Sequence, residues 1–187
     1  MELENTNKSS FTDKPALRFN ELEVNSLVDY IVDNHHAYIR KSVPDLFAHL
    51  KEVANSHGAI HPELISISRL FHEVSTELNS HLLKEESIVF PFIKKYLSGS
   101  NSQEDLQKEQ INKILPIINK MELEHDVFGR KMDMIRVLSG NYILPHDSSE
   151  SYARLFKLLK EFENDFFIHL HLENHILFPK VFLLEQK

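Results

Sequence analysis

One eleven-residue phrase occurs twice in this chain. It reads His81-Leu-Leu-Lys-Glu85-Glu-Ser-Ile-Val-Phe-Pro91 and, 88 residues later, His169-Leu-His-Leu-Glu173-Asn-His-Ile-Leu-Phe-Pro179. The copies agree at the His, the following Leu, the Glu, the Ile, the Phe and the Pro. On a helix a His and a Glu four residues apart lie on one face, one turn apart. An imidazole nitrogen and a carboxylate so placed can converge on one cation. Two such pairs predict two helices that present matched ligands to a shared metal centre.

The rest of the chain suits that reading. Its 187 residues, 42% of them hydrophobic and thirteen of them Phe, can fill one core but fall short of two domains. Only four Gly and seven Pro leave little turn chemistry, so few long elements are expected. No apolar stretch approaches the ~20 residues of a membrane span. The opening Met-Glu-Leu-Glu-Asn lacks a basic region followed by an apolar one, so no signal peptide is expected and the cytoplasm is the expected compartment. A net charge of -7 argues against duplex nucleic acid as a partner. Absence of Cys excludes thiolate metal sites and a cysteine nucleophile. Any transition metal must then be held by imidazole and carboxylate, which suits iron, manganese or zinc.

Residues 1–20 are polar and unpatterned and are expected to form a disordered tail. Residues 21–187 read as four helical segments, about 21–56, 62–97, 104–138 and 150–178, separated by short polar breaks such as Ser98-Gly-Ser-Asn101. Pro44 is expected to kink or split the first segment, and Pro91 and Pro116 to bend the second and third. Asp147-Ser-Ser-Glu150 has the spacing of a capping box. The expected fold is all-α, an antiparallel up-down-up-down four-helix bundle.

Within that frame His36 precedes His81 by 45 residues and His125 precedes His169 by 44. Each half therefore offers one helix with a lone His and one with His-x-x-x-Glu. The four residues of the repeated pairs, with His36 and His125, are the candidate ligands that the residues themselves suggest. His35 and Glu124, rotated about 100° from these on a helix, are expected to point elsewhere. His57 precedes Gly58 at a helix end, where a helix-dipole role competes evenly with ligation. His171 and His175 should face outward, and His49, His72 and His146 should lie at the surface. The Glu-x-x-His spacing of ferritin-like bundles fits only Glu122/His125, which argues against that class.

With these motifs the chain resembles hemerythrin-like domains, and more closely the repair-of-iron-centres family of di-iron proteins that act on damaged iron-sulfur clusters. The resemblance covers about residues 27–180, most strongly Tyr30–Pro44, His81–Pro91, Glu124-His125-Asp126 and His169–Pro179. It implies a four-helix bundle holding two non-haem iron ions, oxo- and carboxylate-bridged, on His36, His57, His81, Glu85, His125, His169 and Glu173. Counting on from Val43-Pro44 puts His57 in register with the family's second ligand. The resemblance also implies that Glu85 and Glu173 bridge while the imidazoles are terminal, and that Glu77 and Glu124 lie close to the centre. Longer family members carry an N-terminal domain with a Cys pair, whereas about twenty-five residues precede the matching region here and Cys is absent.

The function implied is repair of iron-sulfur clusters damaged by oxidative or nitrosative stress, by supplying iron, handling nitric oxide, or both. Damaged iron-sulfur proteins and small ligands (nitric oxide, oxygen, peroxide) are the implied partners, with a homodimer as one assembly. The alternative is a hemerythrin-like protein that binds or senses oxygen or nitric oxide. A third reading is an enzyme, a nitric oxide reductase or peroxidase, using the same irons.

Overall fold

A computed structural model describes residues 18–97 and 104–185. Most of the expected N-terminal tail and the Ser98–Asn101 break fall outside these residues. A single 3-10 turn, Phe19–Glu21, leads into the first long helix. That helix, α1 (residues 24–57), is built without interruption from Val24–Tyr30, a π-helical stretch Ile31–His36, and Ala37–His57. The second, α2 (residues 63–97), joins Glu63–Lys84, a π stretch Glu85–Val89 and Phe90–Leu97. The third, α3, is Glu104–Leu138. The fourth, α4 (residues 150–185), joins Glu150–Leu172, a π stretch Glu173–Leu177 and Phe178–Glu185.

Neither Pro44 nor Pro116 divides its helix. Both prolines are exposed, as are Arg40 and Asn112 one turn earlier, so the carbonyls that lose a donor face water instead of core. The helix cap before α4 also differs from expectation. Ser149, not Asp147, accepts the Tyr152 N–H, at 3.2 Å, while the Asp147 carboxylate accepts from His61 in the opposite loop.

Consecutive helices pack against one another and α4 closes back on α1, which makes an antiparallel four-helix bundle. Among the described residues no helix is long and apolar enough to cross a membrane. The core is not continuous. One apolar cluster, including Leu50, Leu64, Phe71, Phe162 and Tyr152, fills the end where the α1–α2 and α3–α4 connections lie. Another, including Leu27, Ile31, Ile93, Ile118, Leu177 and Val181, fills the opposite end. Between them lie the buried His36, His81, Glu85, His125, His169 and Glu173. Burying so many polar groups at one level is costly unless they share a partner.

Candidate metal centre

The local backbone explains how these side chains meet. Three of the four helices loosen into π geometry at this level, a feature often found at functional sites. Two π stretches begin at the repeated glutamates, and the third ends at His36. In each copy the Phe N–H reaches back to the Glu carbonyl, Phe90 to Glu85 and Phe178 to Glu173. The next residue is Pro91 or Pro179, which has no N–H to offer, so the return to α geometry strands no donor. The Glu-x-x-x-x-Phe-Pro spacing is therefore a register device. It also lets α4 continue to Glu185 rather than end at Phe178.

The ligand atoms form two groups that share both carboxylates: His36, Glu85, His169 and Glu173, and His81, Glu85, His125 and Glu173, each within 4.8 Å mutually. Glu85 turns Oε1 to His81 Nε2 (3.0 Å) and His125 Nε2 (3.6 Å), and Oε2 to His36 Nε2 (3.5 Å). Glu173 does the reverse, with Oε1 on His169 Nε2 (3.0 Å) and His36 Nε2 (3.6 Å) and Oε2 on His125 Nε2 (3.3 Å). Each glutamate thus gives one oxygen to each lobe, and the repeated sequence appears as an approximate twofold relation in space.

The donor set fits metal. All four oxygens of Glu85 and Glu173 are buried without a conventional hydrogen-bond partner. His81 Nδ1 is engaged by Glu124 and His125 Nδ1 by Asn174, at 2.8 and 2.7 Å. With Nδ1 donating, a neutral imidazole presents a lone pair at Nε2. Yet these two Nε2 atoms stand 2.7 Å apart, and those of His36 and His169 3.1 Å apart. Lone pairs so close require positive charge between them. Without metal, protons supply it: burial opposes charge on His81, but the Glu85 carboxylate beside it wins and holds the imidazole up at about 9. Burial would likewise raise the Glu173 carboxyl, yet His169 and its neighbours hold it well below the usual range. Four imidazole nitrogens and two carboxylates suit iron, manganese or zinc.

Around these ligands stands a ring of supporting contacts of the kind that fixes imidazole orientation in metal sites. His36 Nδ1 donates to Glu86 at 2.6 Å, and Arg40 pairs with the same carboxylate. Lys84 reaches Glu124 at 3.0 Å. Phe90 stacks on His36 and Phe178 on His125, with ring centroids 5.5 and 6.0 Å apart.

Six of the seven expected ligands are brought together, and His57 is not among them. It follows His36 by 21 residues of unbroken helix, which at ~1.5 Å per residue is a rise of ~30 Å. His57 sits at the end of the bundle, with Nε2 2.9 Å from Ser149 Oγ and its ring edge-on to Tyr152. His35 and Glu124 also depart from the expected outward direction read from helical rotation. Glu124 holds His81, as the family resemblance implied by placing it near the centre, and His35 is buried with its ring parallel to His169, 6.1 Å away. Glu77 lies further out, paired with Lys131. His171 and His175 are exposed and stacked on each other. His49 is half-buried on the Ser151 carbonyl, and His72 stacks on Phe47. Sequence reasoning missed Glu86 and Asn174. Both directly follow a shared glutamate, so the repeat held the signal, but the two residues differ in type and the position went unmarked.

The family model described as Hemerythrin HHE cation binding domain matches residues 27–181. A probable iron-sulfur cluster repair protein of Haemophilus influenzae is 33% identical over 155 residues, which is 83% of this chain and 64% of that protein. The iron-sulfur cluster repair protein ScdA of Staphylococcus epidermidis is 28% identical, over 86% of this chain and 67% of its own length. The iron-sulfur cluster repair protein YtfE of Yersinia pestis is 28% identical, over 83% and 64% respectively. The chain thus spans about two thirds of the length of these curated relatives.

Proposed function

The chain belongs to the hemerythrin HHE cation-binding domain family, and from that membership we propose that its buried centre holds two non-haem irons and serves the repair of iron-sulfur clusters damaged by oxidation or nitric oxide. The observation that carries the dinuclear part is the sharing of Glu85 and Glu173, each with one oxygen toward either lobe. The names of the relatives support the repair part. Bound iron would supply redox and small-ligand chemistry, and in this role the iron is also cargo.

This chain's own residues define what handling that cargo requires. Glu85 and Glu173 would bridge, the four imidazoles would be terminal, and Glu86, Glu124 and Asn174 would keep three imidazole Nε2 lone pairs directed inward. A groove of about 440 Å³ between α2 and α3 is lined by the apolar Leu123, Val127 and Phe128 together with Glu77, Lys84, Lys120 and Glu124. Glu124 is itself bonded to His81 and to Lys84, so one carboxylate of that groove lies within one hydrogen bond of a ligand. That carboxylate is the observation that supports passage of a cation along the groove. With no Cys in this sequence, acceptance of iron falls to thiolates of the damaged iron-sulfur protein. A cytoplasmic setting belongs to the same proposal.

A second reading, binding or sensing of oxygen or nitric oxide, draws support from the apolar shelter that Phe90, Phe128, Phe166 and Phe178 form around the imidazoles. The two readings part in one experiment. Loaded, reduced protein is added to a cluster enzyme inactivated by nitric oxide. Repair predicts recovery of activity that Glu85→Leu protein fails to give. Equal recovery with free ferrous iron at the same concentration would remove the repair role and leave gas binding.

A further inference from the structure

The twofold relation of the centre is broken at one point. His125 is preceded by Glu124, and Glu124 accepts from His81 Nδ1 in the same lobe. His36 is preceded by His35, which by the same relation lies beside His169. An imidazole stands where its counterpart is a carboxylate. The Nδ1 of His35 is occupied by Asp165 Oδ1 at 2.9 Å, and its ring lies parallel to His169, 6.1 Å between centroids. His169 Nδ1 is consequently buried with no protein acceptor, as are His35 Nε2 and Asp165 Oδ2 with no partner. The other three ligand imidazoles all have one: Glu86, Glu124 and Asn174.

We propose that the two positions of the centre hold metal unequally, the ion between His36 and His169 being the exchangeable one and the ion between His81 and His125 the retained one. This rests on the dinuclear reading and adds which half of the site gives up its metal. An imidazole tied at Nδ1 is fixed in orientation and tautomer and is a stronger donor, and removing such a tie costs roughly 10–100-fold in metal affinity. The His81/His125 lobe has both ties and the His36/His169 lobe has one. Phe contacts do not offset the difference, because each lobe has one Phe ring stacked on one imidazole and another edge-on to the other. The shared carboxylates serve both lobes alike.

The test follows release of iron. The full chain is loaded anaerobically with ferrous iron, its content is measured, and it is mixed with excess ferrous chelator. Two phases of equal amplitude are expected, with rates at least ~10-fold apart. Glu86→Ala, which removes the acceptor of His36 and the partner of the exposed Arg40, should quicken the fast phase alone. Asn174→Ala should quicken the slow phase alone. His35→Gln offers an amide that can donate to Asp165 and a carbonyl that can accept from His169, and it should slow the fast phase. A single phase releasing both irons would overturn the proposal, as would Glu86→Ala acting on the slow phase or Asn174→Ala on the fast one. A content of one iron per chain before chelator is added would instead overturn the dinuclear reading beneath it. Substitution of these supporting residues leaves every ligand in place, and circular dichroism before loading identifies any variant that has lost the bundle.

Discussion

The ring of Phe90 lies on that of His36, 24° from parallel and 5.5 Å between centroids, and thereby ties the end of the α2 repeat to the lone histidine of α1. Phe178 and His125 repeat the relation between α4 and α3 at 9° and 6.0 Å. Each Phe thus has two tasks, since its N–H also closes the π turn at the shared glutamate. Phe90→Ala keeps the backbone bond and removes the ring. The expected cost is ~3–5 kcal/mol of stability, seen as a lower urea midpoint at unchanged slope in metal-free protein. Phe90→Leu, which refills most of the volume, should recover more than half of it. Equal losses in the two variants would show that the stacked ring, and not its volume, carries the contact.

Replacing either shared carboxylate should separate metal binding from folding. Glu85→Leu or Glu173→Leu removes one partner of a buried imidazole–carboxylate pair, and such one-sided removals cost about 3–5 kcal/mol because they leave the other charge unpaired. Metal analysis should find the paired site lost, while circular dichroism in the presence of chelator finds a helical bundle that melts below the parent. His171→Ala, on the exposed face, should keep the parent's metal content.

Protonation links the centre to pH in a definite direction. His81 is raised from the usual 6.5 to about 9, so its contribution to the metal-free fold is complete below about 6.5 and is lost as pH climbs toward 9. Glu173 is lowered, so its contribution is present above the usual 4.5 and is lost on acidification. Metal-free protein should therefore melt highest between roughly pH 4.5 and 6.5. Metal uptake at pH 8 must expel the His81 proton, so apparent affinity should rise with pH until about 9. Melting curves with and without metal from pH 4 to 10 test both statements, and an affinity that falls between pH 7 and 9 contradicts the second.

His57 gives a sharp check on the ligand set. With its nitrogen on Ser149 at the far end of α1, His57→Ala should leave metal stoichiometry unchanged. Ser149→Ala, which removes the cap of α4 as well as that partner, should cost about 1 kcal/mol and also spare the metal. Loss of one metal in His57→Ala would restore His57 to the centre.

The bundle and six ligands were legible because two periods coincide: the helical repeat of apolar positions and the duplicated His-x-x-x-Glu-x-x-x-x-Phe-Pro. What stayed hidden has physical causes. The π stretch that ends at His36 shifts the helical register there, so a 100° wheel misdirects His35, whereas Glu124 stands on regular α-helix and turns inward through its bond to His81 of the neighbouring helix. Pro44 reads as a kink or break and Pro116 as a bend unless their exposure is known. His57 was placed by its sequence distance from Val43-Pro44, and sequence distance fixes height in a bundle only once the helix is known to continue.

The band of histidines and glutamates that parts the apolar core also bears on how the molecule opens. Two hydrophobic clusters joined through a layer of polar groups instead of continuous apolar packing are weakly coupled, and either can come apart at less than the cost of global unfolding. Cations at that layer hold all four helices at one height and make the halves open together. Native-state hydrogen exchange should accordingly resolve two cooperative units in the metal-free chain and one in the loaded chain, so that surrender of iron and loosening of the end around Leu27, Ile93 and Val181 become a single molecular event.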